Sequence, residues 1–569
     1  MISASSIYHR GPISGVAASA DYVVTAGYDN ATIVWSADTH RALGRAQHDH
    51  LVNQCDISPD GKRLVTAGSD YSARIFTFPG LRLEAIITCH QDDVVQAKFS
   101  PDGKLIVTCA YDGTVAISQA SGELVAMCRG HTALVERVAW SADGTIVVSC
   151  GTDGTIRGWD ATTGDSRFVR SGFSTDVDDV VHLGGDIWIA GGDDGHLHFI
   201  GPDSERSIPA HGAGIKALSR SGNRLLTTGY DQRFNIFSIG VDLTLTKVAD
   251  GRLPPEAWAR SACLLDDYRI ILASFGSRYL THDLRTGTWD LQDYTPSPSL
   301  NAIVAKDGHI YTTGDSGALR IDGAVVATVP SLCNAVAVAG EQVLVAGQTG
   351  ELFDAVSGVA LYAHTAPINR IEVVSIRPDG SVDVALGAYD GAVVLLTLQA
   401  RQVTSTRIVP VAPSAIKGLC SAEGRIYCGS AGGLLAVLDA DTVEVLRSTE
   451  NAHSSILNDV SLFKGGFATV SRDLTLRWWT REGEPAGVIR TRHEKSVKCV
   501  ATSEDQRFCA TGSYGGTIDI IEQATARSVG ALRRPTMAGI SSITWCAARS
   551  SFLAASYDGN TYEVFPYED

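Results

Sequence analysis

Methionine is almost missing from this sequence, with 3 in 569 residues, and aromatic side chains make up only 7%. No run of about 18 uninterrupted apolar residues occurs, which excludes an apolar membrane-spanning helix. No stretch has the apolar period of a helix of useful length. The 12 Cys form no Cys-x-x-Cys pair, and several sit inside apolar segments (Cys109, Cys150, Cys428, Cys509 and Cys546), as reduced buried thiols do. Cations are outnumbered: the net charge is −16. Such a surface repels phosphate backbones, so nucleic acid is not an expected partner. The nearest thing to a basic patch, Arg490, Arg492, Lys495 and Lys498, reads as a solvated turn. Met1 to Arg10 has neither the basic nor the apolar region of a secretory signal, so the expected location is cytoplasmic. Arginine far outnumbers lysine, which suggests a GC-rich, bacterial genome.

Glycine is abundant, at 57 residues, and 44% of the chain is hydrophobic. That composition suits a globular fold of short strands joined by tight turns. The length exceeds what one core supports, so internal repeats are the first thing to look for. A period of about 41 residues emerges, clearest in HTALVERVAWSADGTIVVSCGTDGTIRGWD from His131. Alternating apolar residues, a SADG turn, a second apolar strand, a TDG turn and a third strand follow in order. With a fourth strand before the next copy, each period predicts one four-stranded propeller blade.

Within this copy His131, Ser149, Asp153 and Trp159 are spaced by 18, 4 and 6 residues. The set recurs as His9, Thr25, Asp29 and Trp35, and as His453, Thr469, Asp473 and Trp479. Partial sets are His48, Thr66, Asp70; His90, Thr108, Asp112; and His211, Thr227, Asp231; in His493 and Thr511 the Asp is replaced by Gly515. The pattern resembles the WD40 family, whose blades carry such a buried network. The resemblance implies an all-β fold of two tandem seven-bladed propellers, residues 1–284 and 285–569. Copies start near His9, His48, His90, His131, Gly172, His211 and Gly251, then near Tyr294, Leu332, His364, Ala412, Ala452, His493 and Pro535. The seventh, eighth, ninth and eleventh copies are degenerate. The arrangement is similar in architecture to the tandem rings of actin-interacting protein 1. Two wirings are open: Ile2 to Ile7 closes blade seven while Thr288 to Gln292 closes blade fourteen, or the N-terminal strand meets the C-terminal blade.

Ser, His and Asp together can form a hydrolase triad, but a catalytic triad occurs once and this set recurs, with no Gly-x-Ser-x-Gly elbow. The recurring network therefore reads as structural. His196 and His198 alternate on one strand face without further ligands in sequence, and Asp176, Asp178 and Asp179 do not match a calcium loop. No metal or cofactor is expected. The recurrence with functional promise is a Tyr at the turn after the second strand: Tyr28, Tyr111, Tyr230, Tyr389, Tyr514 and Tyr557. The family resemblance puts that turn on the narrower face around the channel, its usual docking surface, and Tyr is enriched at binding hot spots; packing against the next blade is the plain alternative. Trp258 and Trp188 are weaker candidates for the same rim or for the core. The expected function is a non-enzymatic protein-interaction platform for basic or peptide-like partners, of open oligomeric state. The alternative is an enzyme or small-molecule sensor with its site in a propeller channel.

Overall fold

The computed structural model describes residues 7–173, 177–192, 194–201, 204–255 and 257–566. Among them there is no helix. The described residues form fourteen antiparallel sheets in strict sequence order, thirteen of four strands and a last one of three. Each sheet is a blade made from one continuous stretch of chain. The blades begin at Ile13, Val52, Val94, Val135, Val177, Ile215 and Ser261, then at Leu300, Cys333, Ile368, Ile416, Leu457, Val497 and Ile540, so the fourteen-copy reading matches the fold.

Local chemistry sets the strand ends. In the turn Ser100–Gly103 the Ser100 hydroxyl donates to Asp102 (2.7 Å) and accepts the Leu105 amide (2.9 Å). Gly103 takes φ +71° there, a conformation only glycine enters at no steric cost. The same device recurs at Ser58–Asp60 and Ser141–Asp143.

The core lies between blades. Val107, Val115 and Ile117 of blade 3 pack with Val135, Val138 and Trp159 of blade 4. Innermost strands contact the innermost strands on either side, and the contacts close after seven: blade 1 meets blade 7, and blade 8 meets blade 14. Ile13, Val16 and Trp35 seal the first circle against Ile271, Ala273 and Tyr279. Leu300 and Ile303 seal the second against Cys546, Leu553 and Ala555.

Contacts divide the chain into two compact units, Met1–Pro296 and Ser297–Asp569. The sequence midpoint at 284/285 falls inside a hairpin, because Thr288–Asp290 pairs with Leu280–Asp283. This pairing also corrects the proposed wiring. Thr288–Asp290 is the outer strand of blade 7 and is not available to close blade 14. The candidate donated strand Ile2 to Ile7 lies outside the described residues except for Ile7, which packs on the blade 1–blade 7 core. Blades 8, 9 and 11, degenerate in sequence, are complete four-stranded sheets, with third strands of only four residues in blades 8 and 9.

Candidate partner-binding rims

The His–Ser/Thr–Asp–Trp sets assemble where all four residues are present. His131 Nδ1 lies 2.9 Å from Asp153, its Nε2 lies 2.8 Å from Ser149 Oγ, and the Trp159 indole N–H donates to the same hydroxyl (2.8 Å). The carboxylate requires the proton on Nδ1, so the Ser149 hydroxyl donates to Nε2 and accepts from Trp159. That hydroxyl is fully buried and accepts the Trp159 N–H, which ties it into the interior of the blade. Asp153 is held well below the usual carboxylate range: burial opposes this, but bonds from His131, Thr155 and the Thr132 amide outweigh it. The sets at His9 and His453 repeat the geometry.

The partial sets diverge. His90 and His211 keep both partners. His48 does not: its Nε2 bonds Thr32 of blade 1 (3.2 Å), while Asp70 pairs with Arg74 (2.7 Å). Burial and the Arg74 charge bring His48 down to about 4. The reading of His48, Thr66 and Asp70 as one network is therefore corrected, since Arg74 claims the carboxylate. At His493, Thr517 replaces the missing Asp and bonds Nδ1 at 2.6 Å.

The six tyrosines share one backbone address. The N–H of each of Tyr28, Tyr111, Tyr230, Tyr389, Tyr514 and Tyr557 donates to the carbonyl just ahead of its own blade's innermost strand, at Pro12, Asp93, Gly214, Pro367, Ser496 and Gly539 (2.8–3.1 Å). All six are half-buried. Tyr28 receives Arg260, whose guanidinium lies 5.1 Å from its ring and bonds its hydroxyl. Tyr230 stacks on Trp258 (5.5 Å) and bonds Asp178 (3.3 Å). Tyr111 packs on the core between blades 3 and 4. Tyr514 stacks on Tyr557 (6.0 Å), and Lys417 lies 4.2 Å from the Tyr389 ring. In blade 12 the same address belongs to Arg472, whose N–H bonds Ile456. Trp258 joins the rim through Tyr230, whereas Trp188 is core, packed on His182 (4.6 Å).

Beside that address the innermost strand is bulged in thirteen of the fourteen sheets, always at its second residue. Only blade 7 pairs without a shift. A bulge leaves one residue unpaired and re-aims its side chain. In the first unit the bulged residues are Ser14, Asn53, Val95, Glu136, Asp178 and Lys216; in the second they are Asn301, Asn334, Asn369, Lys417, Asn458, Lys498 and Ser541. The amides of Asn53, Asn301, Asn334, Asn369 and Asn458 donate to the carbonyl of the first strand residue in the next blade (2.7–3.2 Å). Ser14 and Ser541 do the same with hydroxyls, on Val52 and Leu300. These side chains form a belt of bonds between neighbouring innermost strands. Sequence reasoning followed apolar residues and the His sets and missed them, although Asn301, Asn334 and Asn458 each stand 14 residues before their turn.

The remaining sequence candidates are absorbed by structure. Asp178 pairs with Lys216 (3.4 Å), and buried Asp179 accepts the Leu218 amide (2.8 Å); Asp176 lies outside the described residues. His198 bonds Asp194 (3.0 Å) and His196 bonds the Asp194 carbonyl. No group of three or more potential metal ligands occurs among the described residues. Nor is Arg490–Lys498 merely a solvated turn: Arg492 pairs with fully buried Asp519 (2.6 Å), and Lys498 is a bulge residue.

No characterised protein matches the sequence as a whole. The family model described as WD40, WD domain, G-beta repeat, matches residues 43–77, 81–117, 122–160 and 484–521. Each match starts on or just before the outer strand of one blade and ends in the third strand of the next, so the sequence unit is offset from the structural blade. Solved structures of U3-55K and of the RRP9 WD40 repeats are each 18% identical to this chain, with TM-scores of 0.42. They cover 47% and 48% of this chain and 89% of their own. With the recurrent His–Ser/Thr–Asp–Trp geometry and the circular order of blades, the chain carries WD40 repeats and folds as two tandem seven-bladed β-propellers.

Proposed function

We propose that this protein is a non-enzymatic interaction platform whose partners dock on the tyrosine-bearing rims. WD40 repeats are typical of protein-interaction scaffolds. The observation that carries the reading is the single backbone address shared by the six tyrosines, beside the bulges that ring each circle of innermost strands. Each offers part of an aromatic face and a hydroxyl on a rigid frame, the combination favoured at hot spots. In the first unit the bulged carboxylates Glu136 and Asp178 favour a basic or peptide-like partner there. Twelve free thiols support a reducing compartment such as the cytoplasm.

The test is an affinity pull-down from the native host with wild type and a Tyr28→Ala/Tyr111→Ala/Tyr230→Ala variant of equal melting temperature. Partners lost only from the variant are the expected result and identify what the first rim binds. An unchanged partner list reduces the three tyrosines to packing residues and overturns the assignment of that rim.

A further inference from the structure

In every blade of four strands the outermost strand ends its sheet with one edge unpaired. Open edges invite pairing with another chain, and charged side chains are the usual guard. In eleven of these thirteen blades the outer strand carries at least one Asp, Glu, Lys or Arg, such as Arg45 in Ala42–Gln47, Glu84 in Leu83–Ile87 and Arg447 in Val445–Thr449. The two without one are Ala324–Thr328 of blade 8 and Val359–Ala363 of blade 9. They are neighbours: Ala327 of blade 8 shares a core with Ala355, just ahead of the blade 9 strand.

The neutral sector extends beyond the two strands. No charged residue occurs from Gly323 to Ala339 or from Ala355 to Ala363. The side chains it turns outward are aliphatic: Val325 is 58% exposed and Val326 49%, while Val356 and Val359 are 59% and 55% exposed. Each of the two strands is bulged, and Val326 is the extra residue of the blade 8 bulge. A bulge interrupts the regular ladder and re-aims a side chain. The sector therefore offers valine side chains for packing more than a straight edge for a backbone ladder. Covering them removes apolar surface from water, which is favourable in proportion to the area covered.

Charge selects the occupant. A partner held by ionic contacts finds no counter-charge in this sector. A second copy of the chain needs none, but it brings a net charge of −16 against another −16. In a two-fold contact the same patch meets itself, so a charged outer strand would set like charges together. Blades 8 and 9 present the outer strands on which such a contact opposes no charge. We propose that blades 8 and 9 of the second ring form the interface of a homodimer, in which each copy covers the exposed valines of the other. This goes beyond the platform reading and does not depend on the tyrosine rims.

The test is sedimentation equilibrium of the full chain over the micromolar range, at low and high sodium chloride. Wild type should sediment at twice the mass of the chain. Added salt should tighten the dimer, because it screens the repulsion between like net charges and leaves the apolar contact in place. Val325→Lys/Val359→Lys should weaken dimerisation by at least about a hundredfold at unchanged melting temperature, since each substitution appears twice across a two-fold interface. Val445→Lys, on the Arg447-bearing outer strand of blade 11, should leave the dimer as it is. If the double variant unfolds, Val359→Lys alone provides the comparison. A monomeric wild type overturns the proposal and leaves the valines to a different protein. So does a dimer that the double variant keeps, one that Val445→Lys weakens equally, or one that salt dissociates.

Discussion

The side-chain amide of Asn458 donates to the backbone carbonyl of Val497 in the next blade, at 2.7 Å. Asn458 is buried, and so is the carbonyl it serves. Asn458→Ala leaves that carbonyl without its partner and should destabilise the protein by about 1–3 kcal/mol. Lys417→Gln, at the same bulge position one blade earlier, removes no such bond and should stay within about 0.5 kcal/mol of wild type. Urea denaturation of both variants measures the difference; equal losses would mean the belt contributes nothing specific.

Asp153 accepts from His131, from the Thr132 amide and from Thr155. Asp153→Ala strips all of these and should cost about 2–4 kcal/mol. Asp70→Ala breaks the pairing with Arg74 and the bonds from Ser72, but it removes no hydrogen bond of His48, whose Nε2 is bonded to Thr32. Its cost should be clearly smaller. Calorimetric melting of the two variants is the check, and a larger loss from Asp70→Ala would contradict the corrected network around His48.

The periodicity of the chain, its turn residues and its tetrads were enough to read fourteen blades, because each is a local pattern repeated at fixed distance. What escaped was set by which side chain claims which partner and by how the strands pair. Arg74 capturing Asp70 cannot be read from the spacing His48–Thr66–Asp70, which matches the intact sets. The bulges were hidden because one extra residue slips the strand alternation without changing its apolar character. The fate of Thr288–Asp290 was open because an outer strand has the same pattern whichever sheet it joins. The tyrosine address was legible as a recurrence, and Arg472 stands at the same sequence position in blade 12, since it precedes Asp473 as Tyr28 precedes Asp29.

Glu372 is half-buried and accepts both the amide and the hydroxyl of Ser421. Burial raises its pKa to about 7, against the pull of those bonds. The folded protein therefore holds a proton that the unfolded chain releases near pH 4.5. Stability from this group is present below pH 4.5 and is lost as pH rises to about 7. Glu372→Gln keeps both bonds and removes the titration. Its melting temperature should match wild type at pH 4.5 and exceed it at pH 8, a gain of up to about 3 kcal/mol. A gain independent of pH would place the proton elsewhere.

All twelve cysteines are free, and all but Cys89 and Cys263 are buried. Burial pushes the Cys263 thiol up to about 12. Thiolate, not thiol, is the reactive form, so Cys89 should be the first site alkylated in the native protein. Peptide mapping after brief iodoacetamide treatment reads this directly. Early modification of Cys263 would mean that the core between blades 1 and 7 opens readily.

Every described blade of the first propeller is a single uninterrupted stretch of chain, and its seam is joined by side chains and two backbone bonds, His9 to Ser277 and Ile13 to Ser274. No sheet there depends on a strand borrowed from elsewhere in the described chain. New termini cut into any loop between its blades would therefore leave all seven sheets whole, and a duplicated blade would arrive with its complete set of hydrogen bonds. The ring is modular in the genetic sense: insertions and circular permutations that respect the blade boundary alter how many joints the circle has without damaging any of its parts.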